Sequence, residues 1–233
     1  MLQESNSFCQ DGNENENPWD KLKFAPQKLF SQEQQLVSIA ILAGGKSKRM
    51  GQDKAFLPVG KQIVIERVIE RVRPLTDDLY ISTNSPEAFS RFNLPMVGDI
   101  YPDKAALGGI YSAIHAAQHQ SVLIVACDMP FLNVNLLSYL IKLSSTANVV
   151  APLINPPQPE TLHTVYGKTC LPAIEKRLLA NKLRIIGFFD DVTVRYVEQK
   201  EIAAIDPNLY SFVNMNTPQD LERVRKLANV VGC

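Results

Sequence analysis

The chain has 233 residues, a length that suits one larger domain better than two small ones. Hydrophobic residues make up 45% of it and charged residues 21%, which leaves enough apolar material for a core. Lysine plus arginine number 24, as do aspartate plus glutamate, so no overall field favours nucleic acid or a membrane surface.

The N-terminal segment is polar and rich in Asn and Glu. We expect residues 1–35 to form a disordered tail, because they offer little apolar surface to bury. The segment has neither the basic start nor the apolar centre of a secretory signal, and no apolar run approaches membrane-spanning length. The four cysteines form no CxxC pair, which suits a reducing compartment. The sequence therefore predicts a cytoplasmic protein with one folded domain over residues 36–233.

Strand and helix patterns alternate along that domain. QLVSIAIL is typical of a buried parallel strand, and QIVIERVIERVRPL places its apolar residues on one helical face. The strands DLYIST and PMVGD follow, then a helix in GGIYSAIHAAQHQ that opens with its two glycines, then the strand SVLIVACDMP, which stops on Asp128. Asn133 caps the next helix, ANVVAP forms a strand, and Thr217 and Asp220 form the capping box of the last helix. This alternation predicts a single three-layer, doubly wound α/β domain with a mostly parallel sheet.

A charged loop directly follows the first strand. Leu42 and Ala43 close the strand, and Gly44 and Gly45 let backbone N–H groups come close to an anion. The charged residues of the loop are Lys46, Lys48, Arg49, Asp53 and Lys54. Its cations would neutralise phosphate oxygens, and Asp53 would pair with one of them. The alternative is a βα turn with a solvated run of charge.

Two common phosphate-binding motifs are excluded at this loop. A P-loop ending in the GKS of residues 45–47 would need glycine at position 40, which is Ala40. The dinucleotide pattern GxGxxG fails because Lys46 occupies the place of its second glycine. The loop must therefore bind phosphate in another way, if it binds phosphate at all.

Two aspartates also end predicted strands. Because ligands of open α/β sheets bind outside the carboxyl ends of the strands, Asp99 and Asp128 should lie beside the charged loop. The Asp128 carboxylate, at the end of its strand, suits Mg2+, which prefers one or two carboxylates together with substrate phosphates. The alternative for Asp128 is a turn or cap. The glycines of LGGI at 107–110 would approach a base or ribose, or serve helix–sheet packing.

The sequence gives weaker evidence of a functional role for several other polar residues. Asn214 and Asn216 precede the last helix, where they would bind a substrate or serve turn and cap chemistry. His163 would line the acceptor side or be a hydrogen-bonded structural histidine. His115 and His119 lie four residues apart without the glutamate of HExxH, which favours a surface pair on one helix over a metal site.

The motifs together resemble a known family. LAGGKSKRMGQDKAFLPVGK is similar to the LAGGxSxRMGxDK signature of nucleotidyltransferases that act on the molybdenum cofactor, VACDMPF resembles their strand ending in a metal-binding aspartate, and FVNMNTPQDL resembles their FxNxNTPxDL segment. The resemblance covers about residues 36–227 and points to the MobA-like molybdenum cofactor guanylyltransferases, with a Rossmann-like nucleotidyltransferase fold.

That resemblance implies an enzyme that transfers GMP from GTP to molybdopterin, with or without molybdenum, and releases pyrophosphate. Leu42, Ala43 and Gly44 would contact the nucleotide and Asp99 its nucleoside. The remaining implied contacts are Lys54, Lys46 and Arg49 on phosphates and Asp128 on both nucleotide and Mg2+. The implied partners are molybdoenzymes and cofactor-biosynthesis proteins, and neither nucleic acid nor a membrane is among them.

Two segments depart from the family pattern. Ala105 and Ala106 stand where the family often has Gly-Pro, and STNSP has Ser82 in place of an asparagine and lacks an arginine, although Asn84 is kept. Both departures concern the nucleoside or acceptor side. They leave open a cytidylyltransferase for the same cofactor, a sugar-phosphate nucleotidyltransferase, and a nucleotide-binding partner without catalysis.

Overall fold

The computed structural model describes residues 36–44 and 54–230. The strands are β1 (Ser38–Leu42), β2 (Pro58–Val59), β3 (Gln62–Ile63), β4 (Asp78–Ser82), β5 (Met96–Val97), β6 (Ser121–Ala126), β7 (Val149–Leu153), β8 (His163–Gly167) and β9 (Val194–Glu198). The α-helices are α1 (Val64–Val72), α2 (Pro86–Phe89), α3 (Ala105–Ala116), α4 (Val134–Leu143), α5 (Leu171–Leu179), α6 (Gln199–Ala203) and α7 (Pro218–Val230). The predicted tail, residues 1–35, lies outside the described residues.

Seven strands form one mostly parallel sheet in the order β5-β4-β1-β6-β8-β7-β9. β1 pairs in parallel with both β4 and β6, and β7 pairs in parallel with β9. β8 is antiparallel to both of its neighbours. The short strands β2 and β3 make a separate antiparallel pair. The predicted parallel sheet is confirmed, and β8 is a strand that the sequence patterns did not reveal.

Apolar side chains cover both faces of this sheet. In β1, Ile39 and Ile41 join the core that α1 and α4 cover, whereas Ala40 joins the core under α3 and α5. Successive residues of a strand point to opposite faces, so a strand buried on both sides is apolar throughout. The predicted three layers, helices on both faces of one sheet, are therefore confirmed.

Helix α3 begins earlier than predicted. It starts at Ala105, so Gly108 and Gly109 lie inside the helix rather than at its opening or in a loop. A Cβ atom at Gly108 would lie 2.9 Å from the carbonyl oxygen of Tyr101, which shows that the segment after β5 packs directly on the helix backbone. The helix ends at Ala116, so His119 lies beyond it and bonds Asp77 at 2.7 Å. The predicted pair of histidines on one helix is wrong.

The predicted helix caps are confirmed. The side chain of Asn133 accepts hydrogen bonds from the N–H groups of Asn135 and Leu136 at the start of α4. At α7, the Asp220 N–H donates to the Thr217 hydroxyl at 3.2 Å, and the Asp220 carboxylate accepts from the Thr217 N–H at 2.8 Å. Among the described residues, no helix is long and apolar enough to cross a lipid bilayer.

Candidate functional site

The end of β1 is fixed between its two neighbouring strands. The Ala43 N–H donates to the Ser82 carbonyl at 2.9 Å, and the Leu42 carbonyl accepts from the Cys127 N–H at 3.1 Å. The second bond places Asp128, the next residue along the chain, beside the end of β1. The strand β6 itself ends at Ala126, two residues before the predicted stop at Asp128.

Gly44 leaves open space at this strand end. Its φ is not in the left-handed region, and a Cβ atom built on it would meet no heavy atom of the described residues within 4 Å. Neither backbone conformation nor packing within the described chain therefore requires glycine here. A ligand that approaches the backbone closely would supply a reason.

Lys54 joins this strand end to the C-terminal segment. Its ammonium group donates to the Asn216 side-chain oxygen at 3.0 Å, across 162 positions of sequence. Burial raises the pKa of the half-buried Asp128 carboxyl, and the positive charge of Lys54 opposes that rise. One cation thus bonds an amide and acts electrostatically on a carboxylate, both of which the sequence motifs had indicated separately.

A second carboxylate lies near Asp128. Burial raises the pKa of the Glu160 carboxyl, hydrogen bonding to the Leu162 N–H opposes the rise, and the negative charge of Asp128 adds to it. Glu160 Oε1 accepts from the Leu162 N–H at 3.1 Å, and the Leu162 carbonyl accepts from the Ala126 N–H at 3.1 Å. This relay ties Glu160 to the strand that presents Asp128.

Sequence patterns missed Glu160 because it precedes a strand instead of following one. β8 is antiparallel, so its beginning lies at the same edge of the sheet as the ends of β1 and β6. The rule that ligands bind at the carboxyl ends of strands does not cover such a residue. The sequence does contain a signal for Glu160, because it is an acidic residue between a proline-rich stretch and the apolar segment LHTVY.

Asp99 lies on the opposite side of the β1 end. Asn84 Nδ2 donates to Asp99 Oδ2 at 2.7 Å, and the Asp99 N–H donates to Asn84 Oδ1 at 2.8 Å. A Cβ atom at Gly109 would lie 3.6 Å from Asp99 Oδ1 and 3.6 Å from a methyl group of Leu42. Gly109 therefore lies close to both Leu42 and Asp99, and Asn84 fixes the Asp99 carboxylate beside it.

The carboxylates of the site can hold Mg2+ only when a substrate supplies further oxygen ligands. Among the described residues, no group of three or more His, Cys, Asp and Glu side chains could hold a metal ion. Asp128 and Glu160 together provide two hard oxygen donors, and Mg2+ in phosphoryl-transfer sites takes its other ligands from phosphates and water. The donor set therefore fits Mg2+ bound together with a nucleotide.

A family model described as the MobA-like NTP transferase domain matches residues 39–190. That span covers most of the sheet and includes Leu42, Lys54, Asp99, Asp128 and Glu160. The chain belongs to the MobA-like NTP transferase family.

Relatives of this MobA-like protein are similar over most of their length. The probable molybdenum cofactor guanylyltransferase of Pelotomaculum thermopropionicum is 37% identical over 188 residues, which are 81% of this chain and 91% of the relative. The molybdenum cofactor guanylyltransferase of Desulfosudis oleivorans is 34% identical over 78% of this chain and 91% of its own. The molybdopterin-guanine dinucleotide biosynthesis protein A of Archaeoglobus fulgidus has the same fold, with a TM-score of 0.74 at 24% identity over 83% of this chain and 99% of its own.

Part of the predicted phosphate loop of this MobA-like protein lies outside the described residues. Gly45, Lys46, Arg49 and Asp53 lie outside the described residues, so their predicted phosphate contacts stay predictions. Asn216 does lie at the site, through its contact with Lys54.

His163 differs from both interpretations of the sequence. It is fully buried in β8, packs against Phe212 with the ring centroids 4.8 Å apart, and hydrogen-bonds through neither ring nitrogen to any described residue. Burial lowers the pKa of its imidazole to about 3. It neither lines an open acceptor surface nor forms a hydrogen-bonded structural contact, because β8 carries it into the core.

Proposed function

We propose that this protein is a molybdenum cofactor guanylyltransferase, which transfers GMP from GTP to molybdopterin and releases pyrophosphate. The observation that carries the proposal is the position of Lys54, which bonds Asn216 and acts electrostatically on Asp128 at the open end of β1. Three segments of the family signature thus meet in space. The base (guanine) and the acceptor (the molybdenum cofactor) in this proposal are taken from the names of the relatives.

The reaction needs positioning and charge neutralisation more than covalent help from the protein. A terminal phosphate oxygen of molybdopterin forms a bond to the α-phosphorus of GTP, and the bond from that phosphorus to the bridging oxygen of pyrophosphate breaks. The attacking phosphate is already ionised at neutral pH, so no general base is required. Lys54 would stabilise the charge that develops on the phosphate oxygens.

Asp128 and Glu160 are the residues that would hold Mg2+, which when bound would neutralise phosphate charge and align the leaving group. Asp99, fixed by Asn84, would accept hydrogen bonds from the nucleoside, and the backbone at Leu42, Ala43 and Gly44 would contact the nucleotide. We place the reaction in the cytoplasm, where molybdoenzymes and other proteins of cofactor biosynthesis would receive the product.

The test is pyrophosphate release from the purified protein with Mg2+, molybdopterin and either GTP or CTP. We expect release with GTP and none with CTP. Release with CTP alone would move the protein to the cytidylyltransferases, and release with a sugar phosphate instead of molybdopterin would change the acceptor. Tight GTP binding without any release would favour a nucleotide-binding partner.

Two substitutions test the residues. Lys54→Ala should lower kcat/KM by about 100-fold, because a preorganised charge at the phosphates is lost. Asp128→Asn should abolish turnover while the protein stays folded. Lys61→Ala, an exposed lysine in the β2–β3 turn, is the matched control and should keep wild-type turnover. Normal turnover in either site variant would contradict the assignment.

A further inference from the structure

The connection from β5 to α3, residues 98–104, has a strained backbone. Asp103 within it and Ala105 directly after it have φ values of 59° and 50°, both in the left-handed region that residues with a Cβ atom avoid. Such strain persists only where the surrounding structure holds the chain in place, and it is concentrated at functional sites. Because Asp99 lies in this β5–α3 segment, the contacts that hold the segment concern the candidate site.

Helix α3 holds the first half of the segment. The Ile100 N–H donates to the Ser112 hydroxyl at 2.8 Å, and that hydroxyl donates to the Gly108 carbonyl at 2.9 Å. The Ile100 side chain is 47% exposed, so burial of this large apolar group does little to fix the segment. Polar contacts therefore decide its position.

Helix α5 and the residues that follow it hold the segment through two further bonds. The Tyr101 hydroxyl donates to Glu175 Oε1 at 2.6 Å, across 74 positions of sequence. Lys104 Nζ donates to Asn181 Oδ1 at 3.1 Å, across 77 positions, but this bond is exposed to solvent. A half-buried bond to a carboxylate is stronger than an exposed bond to a neutral amide, because its acceptor is charged and water competes less for it. The Tyr101–Glu175 bond is therefore the main tie between the segment and α5.

Glu175 accepts from two tyrosines through one oxygen. The Tyr111 hydroxyl, on α3, donates to the same Oε1 at 3.1 Å, and the rings of Tyr101 and Tyr111 meet edge to face with centroids 5.2 Å apart. Hydrogen bonding to Glu175 raises the pKa of the Tyr101 hydroxyl to about 12, and the bonds from Tyr101 and Tyr111 lower the pKa of the Glu175 carboxyl below its ordinary value. Both hydroxyls thus remain donors and the carboxylate remains an ionised acceptor at neutral pH.

Asp99 depends on this support because its own bonds are weakly protected. Both of its bonds with Asn84 are exposed to solvent, so water competes for the same donors and acceptors. Only Ile100 separates Asp99 from Tyr101 in the chain. A displacement of Tyr101 would therefore be transmitted to Asp99 over two residues.

We propose that Tyr101 and Glu175 are positioning residues for the nucleotide, whose hydrogen bond holds the β5–α3 segment so that Asp99 stays in place for the nucleoside. The inference rests on the proposed function, under which Asp99 accepts hydrogen bonds from the nucleoside of GTP. Tyr101 and Glu175 act through Asp99 and do not touch the nucleotide. Loss of their bond releases the strained segment, and GTP affinity then falls with the fraction of molecules that keep Asp99 in place.

The test compares two variants that each remove one hydroxyl from the same carboxylate oxygen. By calorimetric titration, Tyr101→Phe should raise the dissociation constant of GTP about 5-fold or more. Tyr111→Phe is the matched control and should leave it unchanged, because Tyr111 belongs to α3 and does not hold the segment. Glu175→Ala should weaken GTP binding as Tyr101→Phe does, whereas Glu175→Gln keeps an acceptor oxygen and should restore most of the affinity. Pyrophosphate, which has no nucleoside, should bind equally to all of these proteins.

A double variant tests whether the effect passes through Asp99. Asp99→Ala/Tyr101→Phe should bind GTP no more weakly than Asp99→Ala alone, since two residues that act through one contact are not additive. Fully additive losses would overturn the inference, and so would equal losses in Tyr101→Phe and Tyr111→Phe, because a general loss of stability would then explain both.

These titrations also separate the inference from the proposed function. If the wild type binds GTP but releases no pyrophosphate with molybdopterin, the proposed function fails, and the GTP affinities of the variants still decide the role of Tyr101 and Glu175. Wild-type GTP affinity in Tyr101→Phe would overturn the inference even where pyrophosphate is released.

Discussion

Lys54, Asp128 and Glu160 interact electrostatically at the edge of the sheet where β1 and β6 end and β8 begins. Burial raises the pKa of both carboxyls; the negative charge of Asp128 adds to the rise at Glu160, and the positive charge of Lys54 opposes the rise at Asp128. Partly buried like charges are costly unless a cation joins them. The arrangement is therefore expected to gain from a divalent ion bound between the carboxylates and the substrate phosphates.

Glu160→Gln should weaken Mg2+ binding by about 10-fold or more, because it removes one of two anionic donors. The readout is the Mg2+ concentration needed for half-maximal thermal stabilisation in the presence of GTP, which does not depend on turnover. Glu222→Gln, an exposed glutamate on α7, is the control and should leave that concentration unchanged. An unchanged Mg2+ requirement in Glu160→Gln would remove Glu160 from the site.

Ala105 occupies a conformation that favours glycine. Its φ is 50°, in the left-handed region, at the position where the resembled family often has glycine. The left-handed conformation costs an L-residue with a Cβ roughly 1–2 kcal/mol, whereas glycine adopts it without that penalty. The departure from the family pattern is thus a local strain at the start of α3.

Ala105→Gly should therefore raise the free energy of unfolding by about 0.5–1 kcal/mol, after the greater chain entropy of glycine is subtracted. Urea denaturation measures the difference. Ala116→Gly, at the other end of the same helix where φ is not positive, should instead destabilise the protein. If both variants lose stability to the same extent, the strain at Ala105 is not real.

At the scale of elements, β8 has two consequences. It brings Glu160 to the edge of the sheet where the parallel strands end, and it buries His163 between that sheet and Phe212. The first consequence concerns function and the second concerns stability. Because an uncharged imidazole is required in the core, the strand is expected to make folding sensitive to acid.

The sign of that sensitivity follows from the pKa of His163. In the folded protein the pKa is about 3, below the ordinary value of about 6.5, so the unfolded chain binds more protons between these values. The stability contributed by neutral His163 is fully present above about pH 6.5 and is lost as the pH falls toward 3, by up to about 1.4 kcal/mol per pH unit.

His163→Leu should remove this dependence. Between pH 7.5 and pH 5.0, the wild type should lose about 2 kcal/mol more unfolding free energy than the variant, as measured by urea denaturation at each pH. The comparison uses the change with pH, so a uniform packing loss in the variant does not affect it. His115→Gln, an exposed histidine, should behave like the wild type. Parallel pH curves for wild type and His163→Leu would contradict the burial argument.

At the scale of the whole molecule, the candidate site joins segments that lie far apart in the chain. Lys54 and Asn216 are separated by 162 positions, and Asn84 and Asp99 by 15. The sheet makes these contacts possible, because β1 lies between β4 and β6 and presents all three ends at one edge.

The sequence by itself determined the three-layer fold, both helix caps, and the convergence of the β1 and β6 ends. These features depend on local signals: continuous apolar strands, capping residues, and charged or acidic residues directly after a strand. Tertiary structure alone decided the position of Glu160, the burial of His163, and the pairing of Asn84 with Asp99. Each of these depends on β8 reversing direction or on which distant segments pack together, and no local periodicity encodes that information.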